Sequence, residues 1–265
     1  MLARLFRNLA VPVAILALWQ LLSNMGAVRP EILPSPAAIV VRWFEYLRPQ
    51  EPAANVLTWL QSSELLSDLF ASLRRVVLGF GLGAGLALPL GLLMGTDKRI
   101  EALLDPVFQF LRPIPPIAYI PLAILWFGLG DPPAVFLISI GAFFPVLINT
   151  IAGVRSVDSI YVRAALNLGA DRMTLFRRVI LPAATPYILT GARIGIGTAF
   201  IVVIVAEMIA VNSGLGYRIL EAREYLWSDK VIAGMITIGM LGLAIDVGVN
   251  RLNGYLLRWH RGLEH

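Results

Sequence analysis

The sequence contains no cysteine. Disulfides, thiolate catalysis and cysteine-held metals are therefore excluded. Histidine is nearly absent: His260 and His265 both lie in the C-terminal tail, too few and too peripheral for a histidine-based metal centre or catalytic triad. No G-x-x-x-x-G-K-[S/T] motif occurs, so the chain carries no Walker-type nucleotide site, and there is neither a nucleophile elbow nor a G-x-G-x-x-G fingerprint. Charge is also sparse, at 15% of 265 residues.

Apolar residues fill the space these absences leave. They make up 58% of the chain, with a mean hydropathy of +0.76, against about 45–50% in soluble domains. Six segments approach the ~20 apolar residues a spanning helix needs: 9–26, 73–95, 103–127, 134–153, 184–211 and 231–250. No barrel-type alternation and no internal repeat is present. The expectation is an all-α, polytopic membrane protein with about six transmembrane helices, forming a single transmembrane domain over 1–265. Arg4 and Arg7 precede the first apolar run, but Trp19-Gln20 stands where a signal peptide would need small residues. The run therefore reads as an uncleaved first span.

Lys and Arg set the orientation. With the N-terminus inside, segments 1–8, 96–102, 154–182 and 251–265 hold twelve of them, whereas 27–72, 128–133 and 212–230 hold six. Both termini are thus expected in the cytoplasm. The net charge of +5 reflects these basic loops rather than a nucleic-acid partner. Segment 27–72 contains Pro30, Pro34, Pro36, Pro49 and Pro52 and reads as extracytoplasmic. Within it, 37–47 has helical periodicity, with Ile39, Trp43 and Leu47 on one face.

Segment 154–182 is the most informative. Arg163-Ala164-Ala165-Leu166-Asn167-Leu168-Gly169-Ala170 reads as a short helix closed by a glycine in left-handed geometry. A second helix carries Leu175, Phe176, Val179 and Ile180, and Leu181-Pro182 opens the next span. Physics alone allows two readings, a hairpin in the lipid interface or one docked on a partner.

The segment resembles the EAA loop of type I ABC-importer permeases: Glu-Ala-Ala, three residues, Gly, nine residues, Ile, one residue, Leu-Pro. Ala164-Ala165, Gly169 and Leu181-Pro182 fall in register; Val179 replaces Ile, and Arg163 replaces Glu. Further stretches resemble the nitrate/sulfonate/taurine branch, among them Leu111-Arg112-Pro113-Ile114-Pro115-Pro116, Phe144-Pro145 and Ala206-Glu207-Met208. The resemblance covers about Glu31 to Arg258. It implies a permease subunit of the bacterial inner membrane for a small anion or sulfonate. It also implies a cytoplasmic coupling helix built from Arg163, Ala164, Ala165, Leu168, Gly169 and Ala170, with Leu181 and Pro182 behind it. The implied partners are a second permease subunit, two ATP-binding subunits carrying ATP and Mg, and an extracytoplasmic binding protein; no cofactor is expected on this chain.

Inside the spans, Arg112, Pro113, Pro115, Pro116 and Pro121 interrupt the third. Repeated prolines free backbone carbonyls that must face protein or water, which reads either as a transport-pathway element or as a packing kink. Arg112 is a candidate anion contact; carbonyl pairing or snorkelling is the structural alternative. Glu207, near the outer end of span five, either lines the pathway, reaches water or serves as a structural partner. Arg193 and Asp246 pair if their helices are neighbours. Glycines give three small-xxx-small pairs, 79/83, 81/85 and 91/95, for close helix approach. The competing function is an ion-coupled secondary transporter; that class often shows repeated halves, which this sequence lacks. An intramembrane enzyme is disfavoured because no catalytic set exists.

Overall fold

The computed structural model describes residues 2–26, 29–49, 55, 59 and 62–258, with side chains from residue 10 onward. Pro52, His260 and His265 lie outside the described residues. The helices are α1 (Leu2–Asn24), α2 (Pro36–Leu47), α3 (Glu64–Thr96), α4 (Lys98–Leu111), α5 (Ile120–Phe127), α6 (Asp131–Arg155), α7 (Ser159–Asn167), α8 (Arg172–Ala210), α9 (Leu215–Glu224) and α10 (Ser228–Leu256). The chain forms two compact units, Met1–Ala71 with Ser213–Leu241, and Ser72–Asn212 with Gly242–His265.

All six apolar segments fall on helices. Four of these helices, α3, α6, α8 and α10, are long and apolar enough to cross a membrane on their own. The first segment supplies a shorter apolar helix, Ala10–Asn24. The third is not one helix: α4 and the stretch Pro116–Phe127 meet at 84°. Its end points lie at opposite ends of α6. Glu101, at the start of α4, pairs with Arg155 at the end of α6. At the other end, the N–H of Gly130 donates to the Ala210 carbonyl (2.8 Å), immediately before α6 begins. The broken pair therefore runs the whole length of α6, which at 25 residues is about 37 Å, against a hydrocarbon layer of about 30 Å.

Glycines fix how the second unit packs. A Cβ on Gly79 would meet Ile138, on Gly83 the Ser139 carbonyl and Ala142, on Gly91 Thr150, and on Gly95 Val154. These partners keep a constant register, so α3 and α6 run parallel at a separation that only glycine allows. α8 packs antiparallel on α6, with Gly191 against Asn149 and Pro145, and Gly153 against Tyr187. Gly81 and Gly85 have nothing within 4 Å; of the three expected pairs, 81/85 makes no close approach among the described residues. The two classes of glycine should separate on substitution. Gly83→Ala places its Cβ 2.3 Å from a backbone oxygen and should lower the melting temperature of the purified chain, whereas Gly81→Ala should not. Equal effects would mean the stripe does not set the α3–α6 distance.

In the first unit, Ser35 caps α2, its hydroxyl accepting from Ala38 N–H (3.1 Å), and Pro36 occupies the first helical position. The apolar face differs by one position from expectation. Ile39 and Tyr46 are the buried residues, Leu47 is half-buried, and Trp43 donates its indole N–H to Thr237 Oγ1 (2.9 Å). Residues 64–72, expected in the loop, already belong to α3.

Candidate functional site

Three constellations stand out: a cleft at the broken span, a buried ion cluster at the far end of the same unit, and the α7 hairpin.

The cleft has a volume of about 590 Å³ and lies between α3, α4 and α6. Its walls are apolar, chiefly Phe108, Phe144, Leu147 and Ile151, with Asp105, Gln109, Arg112 and Arg155 as its polar members. Arg112 caps α4; its N–H still reaches the Phe108 carbonyl (2.9 Å). Pro113 then supplies no N–H, and regular helix is absent until the 3-10 turn Pro116–Tyr119. The expected interruption over 112–115 is thus present, with Pro116 opening the new turn and Pro121 in the first turn of α5. Phe108 packs on Phe143 and Phe144, with centroids 5.6 and 6.5 Å away. Those rings sit at the middle of α6, and Arg112 is one turn beyond Phe108. Its side chain is exposed to the cleft, and its guanidinium has no ion-pair or hydrogen-bond partner among the described residues. Asp105 instead accepts from Gln109 Nε2 (2.6 Å), and Arg155 pairs with Glu101.

Glu207 neither reaches water nor stands alone. Its side chain is 0% exposed, Arg75 Nη1 lies 2.7 Å from Oε1, and Ser72 donates to Oε2 at 2.9 Å. Arg75, 2% exposed, also donates through Nε to Asp131 Oδ1 (2.7 Å), and Arg74 joins Asp131 from the surface. The cluster ties the start of α3 to the start of α6 and the end of α8. Sequence reasoning missed Arg75; the signal available was a basic pair opening a span that has an intramembrane acid elsewhere to balance.

The hairpin has the local geometry its sequence specifies. Asp158 caps α7, accepting from Ile160 N–H (2.8 Å). At the other end Gly169 has φ +84°. Gly169 N–H bonds to the Leu166 carbonyl and Ala170 N–H to the Ala165 carbonyl, both 3.0 Å, which is the Schellman pattern. The helix begins at Ser159, a turn earlier than Arg163. It presents Leu168, 89% exposed, together with Ile160, Tyr161 and Leu166. Asp171 caps the following helix. Its side-chain hydrogen bond with Thr174, and then the Thr174 backbone N–H, hold its pKa below the usual carboxylate value. A depressed carboxylate stabilises at neutral pH, and that contribution is lost as pH falls through its folded-state pKa. Leu181-Pro182 opens the regular α-helical stretch Leu181–Ala210 as expected, though not as a detached element. It lies inside α8, where Phe176–Ile180 widens to a π-turn and Leu181 N–H reaches the Phe176 carbonyl. Pro182 offers no N–H and its ring crowds the carbonyl one turn back; the wider turn accommodates both without breaking the helix.

In the first unit, Asp68 gathers three donors: Tyr46 Oη (3.0 Å), Arg218 Nε (2.8 Å) and Gly214 N–H (2.9 Å). Glu64 bridges Arg218 (2.6 Å) and Lys230 (3.0 Å). Burial, and then the Asp68 charge, push the Tyr46 phenol far above its ordinary pKa. For Arg218, burial pulls downward, but the hydrogen bonds and charges of Asp68, Glu221 and Glu64 prevail and raise it. This network clamps α2, the start of α3, α9 and the first turn of α10 into one body.

Residues 87–261 match the binding-protein-dependent transport system inner membrane component family. The chain belongs to that family. It is 40% identical over 258 residues to the putative aliphatic sulfonates transport permease SsuC of Bacillus subtilis (97% of this chain, 89% of the relative). It is 35% identical over 246 residues to the taurine transport system permease TauC of Escherichia coli (93% and 86%). It is 37% identical over 250 residues to the bicarbonate transport system permease CmpB of Synechococcus elongatus (92% and 86%). The fold matches the inward-facing MetNI methionine ABC transporter with a TM-score of 0.64 at 18% identity, over 76% of this chain and 98% of that one. The chain is a multi-pass membrane permease subunit of an ABC importer, and the secondary-transporter alternative is set aside.

Proposed function

We propose that this permease forms the translocation path for a small organic anion, with the Arg112 cleft as the element that meets it. The observation that carries the reading is a guanidinium with no partner among the described residues, at a multiple proline break, one turn beyond the Phe108 ring that packs at the middle of α6, beside an aromatic and aliphatic wall. A guanidinium suits an oxyanion such as a sulfonate, and the wall suits a short hydrocarbon tail. The relatives named for aliphatic sulfonates and taurine support that class. Glu207 holds the outer end of the path in place through Arg75 rather than touching the anion. Substrate reaches the outer face from an extracytoplasmic binding protein. ATP with Mg is bound and hydrolysed on two separate subunits, one of which receives α7, and the path is completed by a second permease copy. Both termini lie in the cytoplasm, which the Lys and Arg distribution supports.

The test is uptake of a labelled alkanesulfonate by the complex in proteoliposomes. Arg112→Ala should cut uptake about 10- to 100-fold, the loss of a charge-assisted hydrogen bond worth ~1.5–3 kcal/mol, while the complex still assembles. Arg112→Lys, which keeps the charge without the fork, should fall between. Loss of assembly in step with uptake would make Arg112 structural and overturn the reading.

A further inference from the structure

The cleft holds a second guanidinium, Arg155, to which the proposed function gives no task. α4 and α6 run antiparallel along it: Phe108 packs on Phe143 and Phe144, and Glu101 pairs with Arg155. The lining follows one face of each helix, from Asp105 to Arg112 on α4 and from Phe144 to Arg155 on α6. The two arginines therefore stand at its opposite ends. Glu101 and Arg112 are eleven residues apart, and so are Phe144 and Arg155, about 16 Å along either axis. Between them the wall is formed by Phe108, Leu147, Ile148 and Ile151, which offer an oxyanion nothing to hold.

Arg155 is held differently from Arg112. It lines the cleft, whereas its partner Glu101 is not among the lining residues and approaches from the first turn of α4. The pair is open to solvent, with 46% of the Arg155 side chain and 26% of the Glu101 side chain exposed. Ion pairs this exposed are weak, and a guanidinium has donors enough to pass from a carboxylate to a sulfonate. Fastening α4 to α6 requires the pair, but it does not require a guanidinium open to the cavity. Four residues after Arg155 the chain enters α7, which the proposed function places against an ATP-binding subunit on the cytoplasmic side. An anion that leaves Arg112 for the cytoplasm then passes Arg155.

We infer that Arg155 is the anion's last contact at the inner end of the path, and that Glu101 competes for the same guanidinium and so expels the anion. The inference rests on the cleft being the path and adds how the anion is released from it.

The experiment is uptake of labelled butanesulfonate by the whole importer in proteoliposomes loaded with ATP and with increasing unlabelled butanesulfonate. Internal anion should slow uptake by occupying Arg155. Glu101→Gln removes the competitor and should lower the internal concentration that halves uptake about 3- to 5-fold, the scale of an exposed ion pair. Arg155→Gln should raise that concentration by at least as much. The exchanged pair Glu101→Arg/Arg155→Glu restores the tie between the helices but puts a carboxylate in the cleft, and it should behave like Arg155→Gln. If the exchanged variant matches the unsubstituted importer, or if the two single variants shift the same way or not at all, Arg155 is a fastener and the inference is overturned. Arg112→Ala separates the two levels. Unimpaired uptake in that variant refutes the cleft as the path; lost uptake there, with no shift in the Glu101 and Arg155 variants, refutes the release contact alone.

Discussion

Gly169→Val is expected to leave the chain inserted in the membrane and to remove most of the substrate stimulation of ATP hydrolysis in the reconstituted importer. The cost is purely one of backbone geometry. Gly169 sits at φ +84°, and a Cβ there would meet nothing within 4 Å, so no clash contributes. A left-handed conformation costs a non-glycine residue about 1–2 kcal/mol, and a β-branched residue is worst placed to adopt it. That is small against the stability of the whole chain. It is large for a nine-residue helix whose direction is set by two hydrogen bonds at this glycine. Asn, which tolerates this geometry, should be much milder than Val. Arg163→Ala should also be mild: Arg163 lies mid-helix, is exposed, and already departs from the Glu of the EAA pattern. Normal stimulation and transport in Gly169→Val would show that the α7 turn does not transmit between subunits.

The largest loss of stability is expected from breaking the Arg75–Glu207 pair. Arg75→Met removes the guanidinium that lies 2.7 Å from the fully buried Glu207, which costs about 3–5 kcal/mol; Glu207→Leu, which leaves Arg75 its ion pair with Asp131, should cost less. For a chain of this length the Arg75→Met loss is a fall of roughly 6–20 °C in the melting temperature of the detergent-purified complex. The double variant Arg75→Met/Glu207→Leu should recover most of it, because two apolar side chains replace two charges and Asp131 retains Arg74. If the double variant is as unstable as the worse single one, the pair is not the unit of stabilisation, and the remaining contacts of this cluster carry the effect.

Much of this was legible in the sequence because the signals were local. The Gly169 turn follows from one glycine after an alanine-rich helix, and the broken span from prolines that cannot donate. What escaped depended on contacts distant along the chain. Glu207 near a span end reads as a residue that reaches water; only the fold reveals Arg75, 132 positions away, closing over it. Asp68, Arg218 and Tyr46 drew no attention, because single charged residues in outer segments look solvated until three elements converge on them. Gly81 and Gly85 match the small-xxx-small pattern as well as Gly79 and Gly83 do, but period alone cannot say which side of a helix has a neighbour. The continuation of α8 through Pro182 was hidden because a widened turn leaves no mark in composition.

The regular meshing of α3 with α6 limits how this protein can move. The teeth of that contact, Gly79, Gly83, Gly91 and Gly95, lie four or eight residues apart, about 6 or 12 Å along the axis, and at Gly83 the fit leaves no room even for a methyl group. A small slide would drive Ile138, Thr150 or Val154 into the neighbouring turn, and a full step would demand separating the helices first. The pair therefore acts as a single lever in any change from outward to inward opening. Shape change is left to the joints that lack such teeth: the 84° elbow at Arg112–Pro115 and the widened turn of α8.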